Sequence, residues 1–206
     1  MIRKLSLLTA AAALTALCVP TAGAEVHAFT VDPVHSQVGF KIRHLMGKTP
    51  GSFGEFAGTV TVDPENVAST LQVAGTVMTA SIDTNNEKRD GHLKSADFFD
   101  AENHPEISFV SKSVKEKNDK LVVVGDLTMH GVTKEVQLHG SFAGVMTNPF
   151  TGTPTMGLDL AGQVDRKEFG IVWNKTLDAG GLMLGDEVTI EVHLEATVPQ
   201  SEKAES

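Results

Sequence analysis

Disulfide bonds are the first thing this chain does without. Its 206 residues include one cysteine, Cys18, and a single cysteine closes no intramolecular bridge, so apolar burial must hold the fold together. Tyrosine is absent and tryptophan occurs once, as Trp173, which makes that indole a ready reporter of its surroundings. Basic clusters are missing too. Acidic residues outnumber Lys and Arg 26 to 17, for a formal charge of −9. Such a surface repels phosphate backbones and anionic headgroups, which argues against nucleic acid as a partner and leaves at most transient membrane contact. A neutral, apolar or small cargo fits it better.

Catalytic signatures are equally scarce. The nearest approach to a nucleophile elbow, GSFAG at 140–144, puts Ser141 one place too early. GGLMLG at 180–185 has the wrong spacing for a dinucleotide or phosphate loop, and neither a zincin helix nor a Cys-x-x-Cys pair occurs. The stretch from Asp83 to Gly91 begins like a calcium loop, but Lys88 stands where the sharp turn requires glycine. No cofactor is called for. The eight histidines include no i,i+2 or i,i+4 pair; His130 and His139 flank a hairpin, and His92 and His104 lie within RDGHLKSADFFDAENHP, residues 89–105. A zinc site needs three or four ligands on one face, so spacing alone assembles no metal site.

Long apolar runs are confined to the N-terminus. Arg3 and Lys4 precede LSLLTAAAALTALCVP, and Ala22-Gly23-Ala24 supplies small residues at the spacing that signal peptidase cleaves. The run is too short and Ala-rich for a spanning helix of about 20 strongly apolar residues. Residues 1–24 are therefore expected to be a signal peptide carrying away Cys18, Arg3 and Lys4. The expected product is an exported, periplasmic protein with one domain over 25–198 and a polar tail over 199–206.

What remains reads as β-structure. In EVTIEVHLEATV, Val188, Ile190, Val192, Leu194, Ala196 and Val198 alternate with polar or charged residues, the period of a strand with one buried face. Val34, Val38, Phe40 and Ile42 repeat the pattern over 34–44. Further strands are predicted near 53–62, 71–82, 106–114, 120–129, 134–146 and 157–164, with His130-Gly131 as a tight hairpin turn. One helix is predicted over 85–95 and a short turn after Asp63. Eight or more antiparallel strands at this spacing imply a sandwich or a barrel, and small residues within them, such as Gly58, Gly75 and Gly125, suit either barrel curvature or a ligand cavity.

Several blocks in fixed order then carry a resemblance. DPVHSQVGF (32–40), GSFGEFAGTV (51–60), SIDTNNEKRDGHLKSADFFDAENHPEISF (81–109), GDLTMHGVTKEV (125–136), DRKEFGI (165–171) and GDEVTIEV (186–193) resemble the YceI-like family of periplasmic lipid- or polyisoprenoid-binding proteins. The resemblance implies an all-β fold: an extended eight-stranded antiparallel β-barrel, lipocalin-like, with a short helix near one end. It also implies a binding or carrier role without catalysis, an isoprenoid or quinone-like lipid as ligand, and a homodimer. Asp165 departs from the Asn that often precedes the Arg-x-x-Phe-Gly block in the family, and the loop at 147–157 is individual to this chain.

On this reading the cavity is expected to be lined by Phe40, Ile42, Phe56, Met78, Phe98, Phe99, Phe109, Met129 and Trp173. His35, Arg89, His92 and Arg166 are candidates to meet a polar headgroup. Within residues 89–105, Arg89 is expected to pair with Asp97 or Asp100. Two other classes compete: an enzyme acting on such a lipid with Asp90, His92 or His130 as acid–base groups, and a scaffold protein whose barrel is filled by its own side chains.

Overall fold

The computed structural model describes residues 25–118, 120–178 and 180–199. The expected signal peptide and all but the first residue of the expected tail lie outside these. Eleven strands form one antiparallel sheet: β1 (His27–Val31), β2 (Gln37–His44), β3 (Gly47–Phe53), β4 (Phe56–Val62), β5 (Gln72–Met78), β6 (Ile82–Asp83), β7 (Glu106–Lys117), β8 (Lys120–Met129), β9 (Val132–Thr147), β10 (Pro154–Asp165) and β11 (Leu184–Thr197). Helix α1 (Val67–Thr70) follows β4, and α2 (Glu87–Lys94) follows β6. No helix among the described residues is long and apolar enough to cross a membrane.

The first six strands are three broken ones. β1 and β2 lie end to end along β11, with Thr30 opposite Thr197 and Gln37 opposite His193. β4 and β3 lie end to end on their far side, as do β5 and β6 on the next. With each collinear pair taken as one position, β7 to β11 complete an eight-stranded barrel closed between β1 and β11. Closure removes the free sheet edges that invite aggregation, except at β6, which pairs with β3 alone.

Local chemistry explains where the strands stop. Asp32 ends β1 because its carboxylate accepts the backbone N–H of Val34 at 2.9 Å, so Val34 turns outward at 83% exposure and the second strand starts later than alternation predicts. His130 and Gly131 both take positive φ, 52° and 73°, which gives the two-residue turn joining β8 to β9 the twist of its strands. Helix α2 begins where Asn86 accepts the N–H of Arg89 at 3.0 Å, the capping bond that the predicted helix start required.

Alternation then decides what goes inside. Along β8, Leu121, Val123, Gly125, Leu127 and Met129 are buried while the residues between them are not. Most of the buried apolar side chains fall into two clusters. One, around Phe29, Val60, Val62, Leu121, Val123, Met156, Leu158 and Ala196, packs one end of the barrel solid. The other, around Phe98, Leu127, Met129, Val164, Phe169 and Ile171, rings the opposite end. Between them the barrel is hollow.

Candidate functional site

A cavity of about 350 Å³ occupies that hollow, within the roughly 300–1,000 Å³ usual for small-molecule sites. Its walls are almost entirely apolar. β11 contributes Val188, Ile190, Val192 and Leu194, the face that period-2 alternation predicts. These side chains are only half-buried, because they pack against the core on one side and border open space on the other.

Two glycines make room for the rings that shape it. A Cβ at position 51 would run into the ring of Phe40, and one at position 125 into the ring of Phe109. Here small strand residues are seats for aromatic walls. The rings continue as a row: Phe40 lies 5.8 Å from Phe53, and Phe53 lies edge-on to Phe99 at 5.9 Å, within the range where aromatic pairs attract.

The mouth is closed by the segment that the sequence singled out. β6 ends at Asp83 and β7 starts only at Glu106, opposite Met78, so no ladder joins β6 to β7. Residues 84–105 sit at this seam. Thr84, 5% exposed, is their hub: its backbone N–H donates to Asp90 Oδ1 at 2.9 Å, its hydroxyl donates to the same oxygen, and that hydroxyl accepts from Arg89 Nε at 2.7 Å. Arg89 also donates to the Thr84 carbonyl at 2.6 Å. Arg89 therefore ties down the turn before α2 instead of pairing with Asp97 or Asp100 as expected. Asp97 is taken by His92 Nε2 at 2.8 Å. The His92 ring lies 4.9 Å from both Phe98 and Trp173, edge-on to each, and Phe98 and Trp173 are 5.2 Å apart.

Arg166 forms a second clamp at the rim. It is 3% exposed and donates to the carbonyls of Gly185 (3.0 Å), Ile171 (2.7 Å) and Trp173 (2.8 Å), and to Asp186 at 3.3 Å. Burial pulls its guanidinium below the ordinary arginine value, while Asp186 and Asp165 push it back up; it stays a cation at any physiological pH. Lys167, 2.8 Å from the Asp186 carboxylate, holds that acid below the usual carboxylate range. Asp165 accepts the backbone N–H of Lys167 at 2.8 Å, a bond that an Asn side-chain oxygen could equally make.

Of the expected cavity residues, Phe40, Ile42, Phe56, Phe98, Phe99, Phe109, Met129 and Trp173 lie in the wall, and Met78 does not. Met78 follows Val77, which faces the cavity, so alternation turns it to the opposite face. Among the polar candidates, Arg89, His92 and Arg166 reach the wall while His35 does not. His35 sits at the β1–β2 break, its side chain 62% exposed and paired with Asp32 at 2.8 Å. Asp90, His92 and His130, the conceivable acid–base groups, are engaged by separate partners: Thr84, Asp97 and the Phe169 carbonyl. Sequence reasoning missed Phe53, Leu93, Ile107, Leu127 and Ile171, which also line the cavity.

Comparison with known proteins agrees with this architecture. The sequence profile of the YceI-like domain matches residues 29–196. A UPF0312 protein of Staphylococcus aureus (strain USA300) is 42% identical over 173 residues, 84% of this chain and 98% of that protein. The crystal structure of Burkholderia cenocepacia BcnA superposes with a TM-score of 0.71 at 27% identity, covering 81% of this chain and 99% of the other. A polyisoprenoid binding domain from Saccharophagus degradans gives a TM-score of 0.59 over 83% of this chain and 98% of its own; at 12% identity the likeness is one of fold.

Proposed function

We propose, from the premise that this chain belongs to the YceI-like family, that it is an exported binding protein that carries a polyisoprenoid or quinone-like lipid in its barrel. The observation that carries this reading is the cavity itself: an apolar hollow in a barrel whose other end is packed solid, closed by a helical segment that no β-ladder secures. That a polyisoprenoid binding domain of Saccharophagus degradans has the same fold supports this reading. The N-terminal run supports export to the periplasm, where a greasy molecule crossing between membranes needs shelter from water.

The energetics favour a chain over a compact ligand. Each buried CH₂ contributes about 0.8 kcal/mol, so a five-carbon isoprene unit contributes about 4 kcal/mol before ordering costs. Three units then exceed the ~8 kcal/mol of micromolar binding. Apolar burial discriminates poorly among such chains, so the headgroup must be read at the mouth. His44, Arg89, His92 and Arg166 are the basic side chains of the wall; Arg89 is exposed, whereas Arg166 is buried. Leu45 and Met46 at the β2–β3 turn, with Val172 and Leu182 beside the mouth, expose 42%, 100%, 63% and 40% of their surface, which supports transient contact of this rim with a lipid surface during loading. The separate engagement of Asp90, His92 and His130 favours binding over catalysis.

Mass spectrometry of an organic extract of the exported protein, purified without detergent, tests this. A stoichiometric species of prenyl-chain mass is expected. An empty extract from folded protein, together with failure to take up an added prenyl lipid, would refute it.

A further inference from the structure

The spacing of histidines in the sequence assembles no ligand set, but the fold does. Asp100, His104 and His130 each bring one ligand atom to a common point, all within 4.8 Å of one another, and all three residues are half-buried. They come from both sides of the seam. Asp100 and His104 belong to the segment that closes the mouth, and His130 sits in the turn between β8 and β9.

Two of the three are held by hydrogen-bond partners that orient a metal ligand, and the third by packing. His130 Nδ1 lies 3.1 Å from the Phe169 carbonyl. A carbonyl only accepts, so Nδ1 carries the proton and Nε2 is left with its lone pair free, the arrangement that metal-binding histidines commonly show. The Asp100 carboxylate is steadied by Asn103 Nδ2, at 3.1 and 2.9 Å from its two oxygens. The His104 ring lies against Gly131, where a Cβ would stand 2.9 Å from its Cε1, and its centroid is 4.7 Å from that of His130. Glycine at 131 thus serves the positive φ of the turn and leaves space for an imidazole. The His104 carbonyl accepts from the Thr79 hydroxyl at 2.8 Å, which fixes the backbone behind the ring.

We infer that Asp100, His104 and His130 form a binding site for one divalent transition-metal ion of the zinc type, bridging the mouth-closing segment to the β8–β9 turn. Two imidazoles and one carboxylate form a donor set that zinc uses when it keeps a fourth position for water. Bonds of about 2.0–2.1 Å place the ligand atoms of a tetrahedral site roughly 3.3 Å apart, so the existing spread closes by side-chain rotation. Among the described residues no hydrogen bond joins residues 95–104 to the β8–β9 turn; the ion supplies that link. The site stands on its own geometry, whatever the cavity holds.

The test is a calorimetric titration of zinc chloride into the full chain, freed of metal with a chelator and carrying no polyhistidine tag. One ion per chain is expected, with His104→Ala and His130→Ala each weakening binding by at least ~10-fold, a loss that even an outer partner of a ligand can produce. Asp100→Asn keeps the left-handed backbone at this position (φ 47°), which asparagine tolerates, and removes the charge; it too should weaken binding in a protein that folds normally. His139→Ala, on the exposed face of β9, should bind as the parent does. Hydrogen exchange at amides 97–104 should slow when zinc is added. The inference is overturned if no saturable binding occurs, or if binding survives His104→Ala and Asp100→Asn unchanged. It is overturned equally if only His35→Ala removes binding, which would put the ion at Asp32, His35 and Glu195 instead.

Discussion

At the solid end of the barrel, Phe29, Val60, Val62 and Val123 are no more than 1% exposed and meet across the interior. At the other end the same sheet presents Val188 and Ile190 inward and the segments beside it add Phe99 and Trp173, yet these remain half-buried around open space. The residue types differ little and the alternation is the same. What differs is the wall. The solid end is laced by β1, β4, β5 and β7, whereas at the hollow end the ladder lapses between β6 and β7 and a helical segment stands in the gap. Alternation settles which side chains point inward; lacing settles whether they meet.

That contrast can be broken first at its strong end. Phe29→Ala removes a ring from full packing and leaves a void that close-packed neighbours cannot fill, so it should destabilise the protein by about 3–5 kcal/mol, measured by urea unfolding. Lipid bound per folded molecule should not change. Next comes the rim clamp. Arg166→Met strands three carbonyls and leaves Asp186 to Lys167 alone, and a loss of roughly 3 kcal/mol is expected by the same assay, with Trp173 fluorescence altered because its carbonyl loses its partner.

Truncating both Phe98 and Phe99 to Ala reverses the pattern. These rings already border a cavity, so little new void arises, and the stability loss should stay near 2 kcal/mol. Retention of a prenyl lipid should fall at least ~10-fold, equivalent to about 1.4 kcal/mol. Equal retention by the double variant would separate this segment from the cargo altogether. Trp173 offers a further reading: its emission should shift when lipid is extracted, and a constant spectrum would place the indole away from the ligand.

The smallest effect lies at the β1–β2 break. Asp32 raises the pKa of His35, mainly through their hydrogen bond, and His35 lowers that of Asp32 in return. The histidine's contribution is fully present below its unfolded value of about 6.5 and is lost as pH rises through the raised folded value. The acid's contribution is present above its unfolded value and is lost as pH falls through the lowered one. The pair therefore helps most between about pH 4 and 6.5. His35→Ala should lower stability chiefly within that window, remove the pH dependence at its two edges, and leave lipid retention untouched.

Much of this was legible in the residues, and the exceptions have physical causes. The face of β11, the β8–β9 turn and helix α2 follow from alternation, a positive-φ dipeptide and a capping Asn. Phe53 escaped because it and Phe56 have opposite parity, and strict alternation sends them to opposite sides. The interruption at Gly54 and Glu55, where Gly54 N–H bonds to Ser81 and the Glu55 carbonyl accepts from Met78, resets the phase so that both face the cavity. Met78 was misplaced although Val73 and Val77 mark the inward parity of β5; reading the whole of 71–82 as one strand hid it. Arg89 and Arg166 look like free charges in sequence, since nothing in a linear string shows that their donors are taken by backbone carbonyls. The grouping of Asp100, His104 and His130 depends on the register of β7 on β8, which pairs Ser108 with Thr128 and so sets the residues before β7 beside the β8–β9 turn.

The unlaced seam also sets a timescale. Global unfolding must break ladders all around the barrel, but residues 84–105 can swing away with the loss of a few local bonds and one aromatic cluster. Exchange of the interior's contents is then a sub-global opening, with a free energy well below that of unfolding. Its rate should rise only shallowly with urea, because little surface is exposed. On the carrier reading, emptying and refilling should proceed many times within the lifetime of a single folded molecule.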